Sequence, residues 1–314
     1  MKINELRLKF PNATIGIGVI AGADITIGDG VKISDGVTIS SGATIGGGAV
    51  IGEDVTIGAG VTVGESTTIG DRTTLDSGVT VGYGVMIGSD VEVGEDAELG
   101  DRVTVGNNSQ LGSNATINDD TKLGRIVSLG KSVVLGDRVT IGDRVTMGTN
   151  VTIGDDTKLD DDQDFGNEIE IGERISIGTN GKIGCNVKIG DDTKISHDTK
   201  IDFCIIIGDR VKLGRGAALG ENAQLGDGVI IGDYAKLGDR VTIGDRAKIG
   251  DYAKMGNDVS VKNDVRLGRD TKLWRNVKLG RDVKLGDGVI LGEGVTLNDG
   301  VTIGDNLTLS KNKI

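Results

Sequence analysis

The chain has 314 residues, a net charge of −12 at neutral pH, and 37% hydrophobic against only 2% aromatic residues. So acidic a balance argues against nucleic acid as a partner of the whole molecule, and so few rings exclude a broad aromatic-packed core. Glycine is abundant, at 54 residues, while Pro11 is the one proline.

Residues 1–12 come first. Leu6, Leu8 and Phe10 alternate with Arg7 and Lys9, which predicts a strand that caps the structure behind it. No apolar stretch resembles a signal peptide or is long enough to span a bilayer, so the expected location is the cytoplasm.

From Ile15 to Leu309 every sixth residue is apolar without one slip of frame. Of these 50 positions 46 are Ile, Leu or Val, the exceptions being Ala21, Met147, Phe165 and Met255, and Gly follows in 39 cases. In Val241-Thr242-Ile243-Gly244-Asp245-Arg246 the first and third residues are apolar around a polar second. That is the period of a short strand. Gly then opens a corner, and the next two positions are rich in residues that tolerate positive φ. One such strand cannot bury its apolar side alone, so hexads must stack on one another.

The pattern [LIV]-G-x-x-[STAV]-x resembles the hexapeptide repeat of the bacterial hexapeptide transferases, over about 295 residues. The resemblance implies an all-β, single-domain left-handed parallel β-helix, a triangular solenoid with three hexads per coil and residues 18 apart stacked. It would have about 16–17 coils and be roughly 80 Å long at a strand spacing of ~4.8 Å. The organisation expected is a capping strand over 1–12, an uninterrupted β-helix over 13–310, and a short tail over 311–314, where either Lys311 and Lys313 blunt an open edge or this end meets another molecule.

Stacking by 18 produces files of like residues. Thr26, Thr44, Thr62 and Thr80 form one, and Thr38, Thr56 and Thr74 another. Threonine files suggest an ice-binding surface, but Thr also stacks well for its own sake, and the Gly position leaves one file per face where ice would want two. At one corner nine acids stack, from Asp101 to Asp245. Six of them, Asp119, Asp137, Asp155, Glu173, Asp191 and Asp209, are candidate Ca²⁺ ligands. The adjacent column alternates Arg102, Asp120, Arg138, Asp156, Arg174 and Asp192, which supplies counter-charge without a metal. Beyond Gly181 the outward position turns to lysine. Lys248, Arg266, Trp274 and Lys284 are the candidate docking patch for an anionic partner; the alternative is a lysine face that keeps sheets from pairing. Cys185 and Cys204, 19 apart, lie diagonally on neighbouring coils and are not a disulfide framework.

The sole histidine lies in Ile195-Ser196-His197-Asp198-Thr199-Lys200-Ile201. This segment is similar to the Ile-Ala-His-Asp run of sugar-nucleotide acyltransferases in the same family. By that resemblance His197 is the general base toward an acyl thioester, Asp198 its orienting partner, acyl-CoA or acyl carrier protein the donor, and a homotrimer the assembly. A γ-type carbonic anhydrase needs three histidines on zinc, which one histidine excludes. The bottom-up reading differs. Fifty hexads with no inserted loop leave nowhere to enclose a reaction, and His197 stands in what looks like a copy of the preceding Asp-Asp-Thr-Lys. A non-catalytic scaffold without cofactors, presenting flat faces for filament or lateral self-association, comes first; the acyltransferase is second, and an ice- or anion-binding module third.

Overall fold

In the computed structural model, residues 3–310 are described, and the 311–314 tail with its two lysines lies outside them. The hexads do what their period demands. Each contributes a short strand whose first residue faces out and whose second is buried, such as Thr62–Val63 and Lys248–Ile249. Three parallel sheets result, and in each a strand pairs with the one three hexads on. Contacts group the chain into two compact units, Met1–Thr157 and Lys158–Ile314.

The first unit opens with a helix, α1 (Ile3–Lys9), where alternation predicted a strand. Leu6 is fully buried while Leu8 is 84% exposed, so only one of the alternating leucines has a core to enter. Arg7 and Lys9 donate to the carbonyls of Ile15 and Ile25, so the helix still caps the first coil. Behind it the register is the one that stacking by 18 requires: Thr26, Thr44, Thr62 and Thr80 are consecutive partners in one sheet, as are Thr38, Thr56 and Thr74 in another.

Coils are tied at the faces and at the corners. For one hexad, Thr62 N–H donates to Val79 O and Gly64 N–H to Val81 O, while the corner Ser66 N–H donates to Gly47 O, at 2.8–2.9 Å. The third corner residue adopts positive φ in coil after coil, as at Arg102 (57°) and Asp120 (59°). Glycine before it has a different cause. A Cβ on Gly58 would sit 2.6 Å from the backbone of Asp76 and Ser77, so the close approach of neighbouring corners, not φ, selects Gly there. Buried threonines that replace the inward Val are satisfied across the corner: Thr121 Oγ1 donates to Gly136 O at 2.9 Å and accepts from Val139 N–H at 3.2 Å.

The second unit repeats this construction with a different surface. Lys248, Arg266 and Lys284 are consecutive partners in one sheet; Lys236, Lys254 and Lys272 are consecutive in the next. Its core remains mostly aliphatic, with Phe165, Met255, Gln163, Thr193, Thr199 and Thr271 also buried.

Candidate functional site

His197 is the second residue of the corner that follows Lys194–Ile195. Its carbonyl accepts Gly216 N–H at 2.9 Å, and Asp198, at φ 60°, donates its N–H to Thr179 O at 2.9 Å. The corner is thus fixed by both neighbouring coils. The imidazole is solvent-exposed. Its Nδ1 accepts Thr179 N–H at 2.9 Å and lies 3.0 Å from Thr179 Oγ1. A backbone N–H can only donate, so Nδ1 is an acceptor and the neutral ring carries its proton on Nε2.

The same bond recurs along this corner with other side chains. Arg215 N–H donates to Asp233 Oδ1 at 2.8 Å and Asp233 N–H to Asp251 Oδ1 at 2.9 Å. His197 occupies an Asp slot and does an Asp's work. Asp198 does not orient it: that carboxylate accepts from Asn180 Nδ2 at 3.2 Å and Arg215 Nε at 3.3 Å.

In the acidic column the carboxylates turn along the stack. Asp119, Asp155, Asp191 and Asp209 each spend Oδ1 on the backbone N–H of the acid one coil earlier, at 2.8–3.0 Å. Their neighbours meet guanidinium: Glu173 accepts from Arg174 at 2.7 Å and Asp137 lies 3.8 Å from Arg138. Among the described residues no three His, Cys, Asp or Glu side chains converge on a metal position; 18-residue stacking spaces the acids along a line. The adjacent column closes into Arg–Asp pairs, Arg102–Asp120 and Arg138–Asp156 at 2.6 Å and Arg174–Asp192 at 2.7 Å. The side-chain hydrogen bond from Arg102 holds the Asp120 carboxyl below the ordinary Asp value, and that from Arg174 does the same for Asp192.

Of the docking residues, Lys248, Arg266 and Lys284 share one file, whereas Trp274 follows Lys272–Leu273 on the next face. Trp274, 59% exposed, stands over Gly256 and forms with Lys254, Lys272 and Arg275 a cleft of about 420 Å³. A smaller cleft of about 260 Å³ lies beside Phe203 and Cys185, whose Sγ accepts Asn167 N–H at 3.3 Å; both cysteines are free thiols. One feature escaped sequence reasoning. Tyr234 and Tyr252 stack with ring centroids 5.4 Å apart, and the signal for it was the repeat of Asp-Tyr-Ala-Lys at an 18-residue interval.

Parallel sheets joined by positive-φ corners every six residues define a parallel β-helix. The repeat family described as bacterial transferase hexapeptide (six repeats) matches residues 222–257 and 264–299, and that described as GMPPB C-terminal domain matches residues 34–126. The architecture is that of a parallel β-helix built of hexapeptide repeats, and part of the chain matches the model of such repeats. No curated protein sequence matches it. Among solved structures it is similar to a UDP-N-acetylglucosamine O-acyltransferase of Moraxella catarrhalis, at 18% identity and TM-score 0.31 over 48% of this chain and 66% of that one. It is also similar to the Arabidopsis UDP-N-acetylglucosamine acyltransferase, at 12% and 0.21 over 81% and 71%. A third, the Campylobacter jejuni UDP-N-acetylglucosamine acyltransferase, gives 16% and 0.14 over 91% and 67%. The chain thus spans about two thirds of the length of these structures. Among the described residues no helix is long and apolar enough to cross a membrane.

Proposed function

We propose that this chain is a structural β-solenoid that presents its flat faces to other molecules, its own copies first among them. The carrying observation is the bond from Thr179 N–H to His197 Nδ1. It gives the imidazole the role that Asp233 and Asp251 have on later coils and leaves Nε2 protonated. A general base must offer a lone pair to the substrate, and an outward Nε2–H offers a donor instead.

The second reading is acyl transfer from a thioester such as acyl-CoA or an acyl carrier protein, in a homotrimer, with His197 as base. The match of residues 222–257 and 264–299 to repeats of bacterial transferases supports this reading rather than the first. His197 is the sole histidine and is exposed, so an acceptor has access to it. For it to serve, Nδ1 must give up Thr179 or the proton must leave Nε2.

The substitution His197→Asn separates the two. Asn restores the corner acceptor and removes the base. The structural reading expects an unchanged melting temperature and unchanged assembly, with filaments or lateral arrays in electron micrographs of the purified protein. Trimers whose thioester-dependent acylation falls by about 10²–10⁴-fold in this variant would establish the second reading and remove the first.

A further inference from the structure

In 39 of 50 hexads the residue after the buried strand position is Gly, and the crowding at Gly58 shows why. Trp274 is the largest departure from that rule. Its N–H still donates to Leu291 O at 2.9 Å, so the coil is undisturbed and the indole stands outward. One coil earlier the same position is Gly256. The ring therefore overhangs a notch, and the two together make the cleft of about 420 Å³. Lys254 and Lys272 stand side by side on adjoining strands at its edge, with Lys236 next along the same file.

These lysines are uncommitted. Among the described residues, two outward lysines elsewhere in this unit find acids, Lys158 on Asp160 and Lys188 on Glu170, each at 2.8 Å, while others such as Lys194 and Lys248 do not. Among the described residues, Lys236, Lys254 and Lys272 have no acidic partner within 4.0 Å. Arg275, at the corner end, reaches only to 3.8 Å from Glu293. Residues 246–284 hold 11 basic and 5 acidic side chains in a chain of net charge −12. An exposed ring beside unpaired cations placed one strand spacing apart selects a ligand with a flat ring face and anionic groups at that same interval, about 4.8 Å. Nucleic acid does not meet the description: duplex DNA carries one charge per ~1.7 Å, and so dense a polyanion is repelled by the acidic remainder of the chain.

We infer that the Trp274 cleft binds an acidic polysaccharide of uronic-acid rings, one ring lying on the indole and successive carboxylates on Lys254 and Lys272. The file limits the reach of the contact, since Ala218 and Ile290 interrupt it on either side. The inference is independent of whether His197 is structural or catalytic.

Trp274 is the only tryptophan, so its emission reports on this cleft alone. Polygalacturonate added to the full chain at low salt is expected to shift or quench that emission, and the response is expected to fade as salt rises. The methyl-esterified polymer and dextran are expected to do neither. Lys254→Gln with Lys272→Gln keeps the fluorophore and should weaken binding roughly tenfold or more, the equivalent of about 1.4 kcal/mol. Trp274→Gly restores the repeat's own residue. It should keep the melting temperature yet lose the retardation of the protein in gels containing polygalacturonate. An equal response to dextran, a stronger one to a single-stranded oligonucleotide, or unretarded migration of the unsubstituted chain would each overturn the inference.

Discussion

At the scale of single residues, the corner is where sequence choice is most exposed to backbone cost. The third corner position takes positive φ whatever stands there, and Gly, Asn and Asp accept this conformation readily. Ile126 stands there at φ 60°, with its side chain 56% exposed. A β-branched residue in this region is strained and recovers little by burial. Its N–H bond to Asn107 O belongs to the backbone and survives substitution. Ile126→Asn should therefore stabilise the protein by about 1 kcal/mol, read as a rise in melting temperature; a fall would show that Ile126 makes a contact worth more than the strain. His197 illustrates the same economy from the other side. From the sequence it is the most suggestive residue in the chain. In the structure it is an acceptor for Thr179 N–H, a role that no residue-type signal distinguishes from that of a base.

The second scale is that of one hexad upon the next. Here the core contains one defect with a visible cause. Gln163 occupies an inward position normally held by Val and is buried; its Nε2 donates to Gly178 O, but its Oε1 has no partner. The next coil has Gly181 at the matching position, and a Cβ there would collide with that same Oε1. A large polar residue fills what a missing side chain leaves. Replacing Gln163 by Val alone removes the unsatisfied oxygen and opens a void. The pair Gln163→Val/Gly181→Val should remove both faults and exceed the sum of its single variants by about 1–3 kcal/mol. Additive denaturation midpoints would refute the coupling.

The Arg–Asp pairs make a second statement at this scale. Asp120 and Asp192 are held below the ordinary carboxyl value of 3.8, first by the guanidinium hydrogen bond. A depressed native value means that the contribution is complete above 3.8 and is lost as pH falls through the lowered one. The pairs are exposed, so the effect is small and screened by salt. Arg102→Gln with Arg174→Gln should lower the melting temperature slightly at pH 7 and hardly at all at pH 3, and so flatten its drop on acidification below about pH 4. A larger loss at pH 7 than at pH 3 would agree with the pairing; the reverse order would contradict it.

For the molecule as a whole, the legible and illegible parts divide along one line. Whatever recurs at six or eighteen residues could be read: strand polarity, register, the Thr and Lys files, and the alternation of Arg102, Asp120, Arg138 and Asp156. What occurs once could not. The 1–12 segment reads as a strand because Leu6, Leu8 and Phe10 alternate, and only the burial of Leu6 against the exposure of Leu8 reveals the helix. The acids were placed correctly in a column, yet their chemistry depended on which way each carboxylate turned, toward a backbone N–H or toward its neighbours. Periodicity supplies positions and is silent about orientation. Trp274 stands between the two cases, since its place in the repeat foretold that the indole would face outward but not that Gly256 would leave a notch beneath it.

The 18-residue register also has a kinetic consequence. Parallel sheets usually bring together strands far apart in sequence, and slow folding follows from closing those long loops. Here each strand pairs with the one only 18 residues on, as Thr62 does with Thr80 and Lys248 with Arg266. A separation of 18 in 314 residues sets a relative contact order of about 0.06, just below the range of helical bundles and far from that of β-sandwiches. Each coil completes its hydrogen bonds as soon as the next has been laid upon it, so structure can spread by successive short closures from any nucleus. An almost purely β chain thereby acquires the zipper-like folding that is ordinarily the privilege of helices.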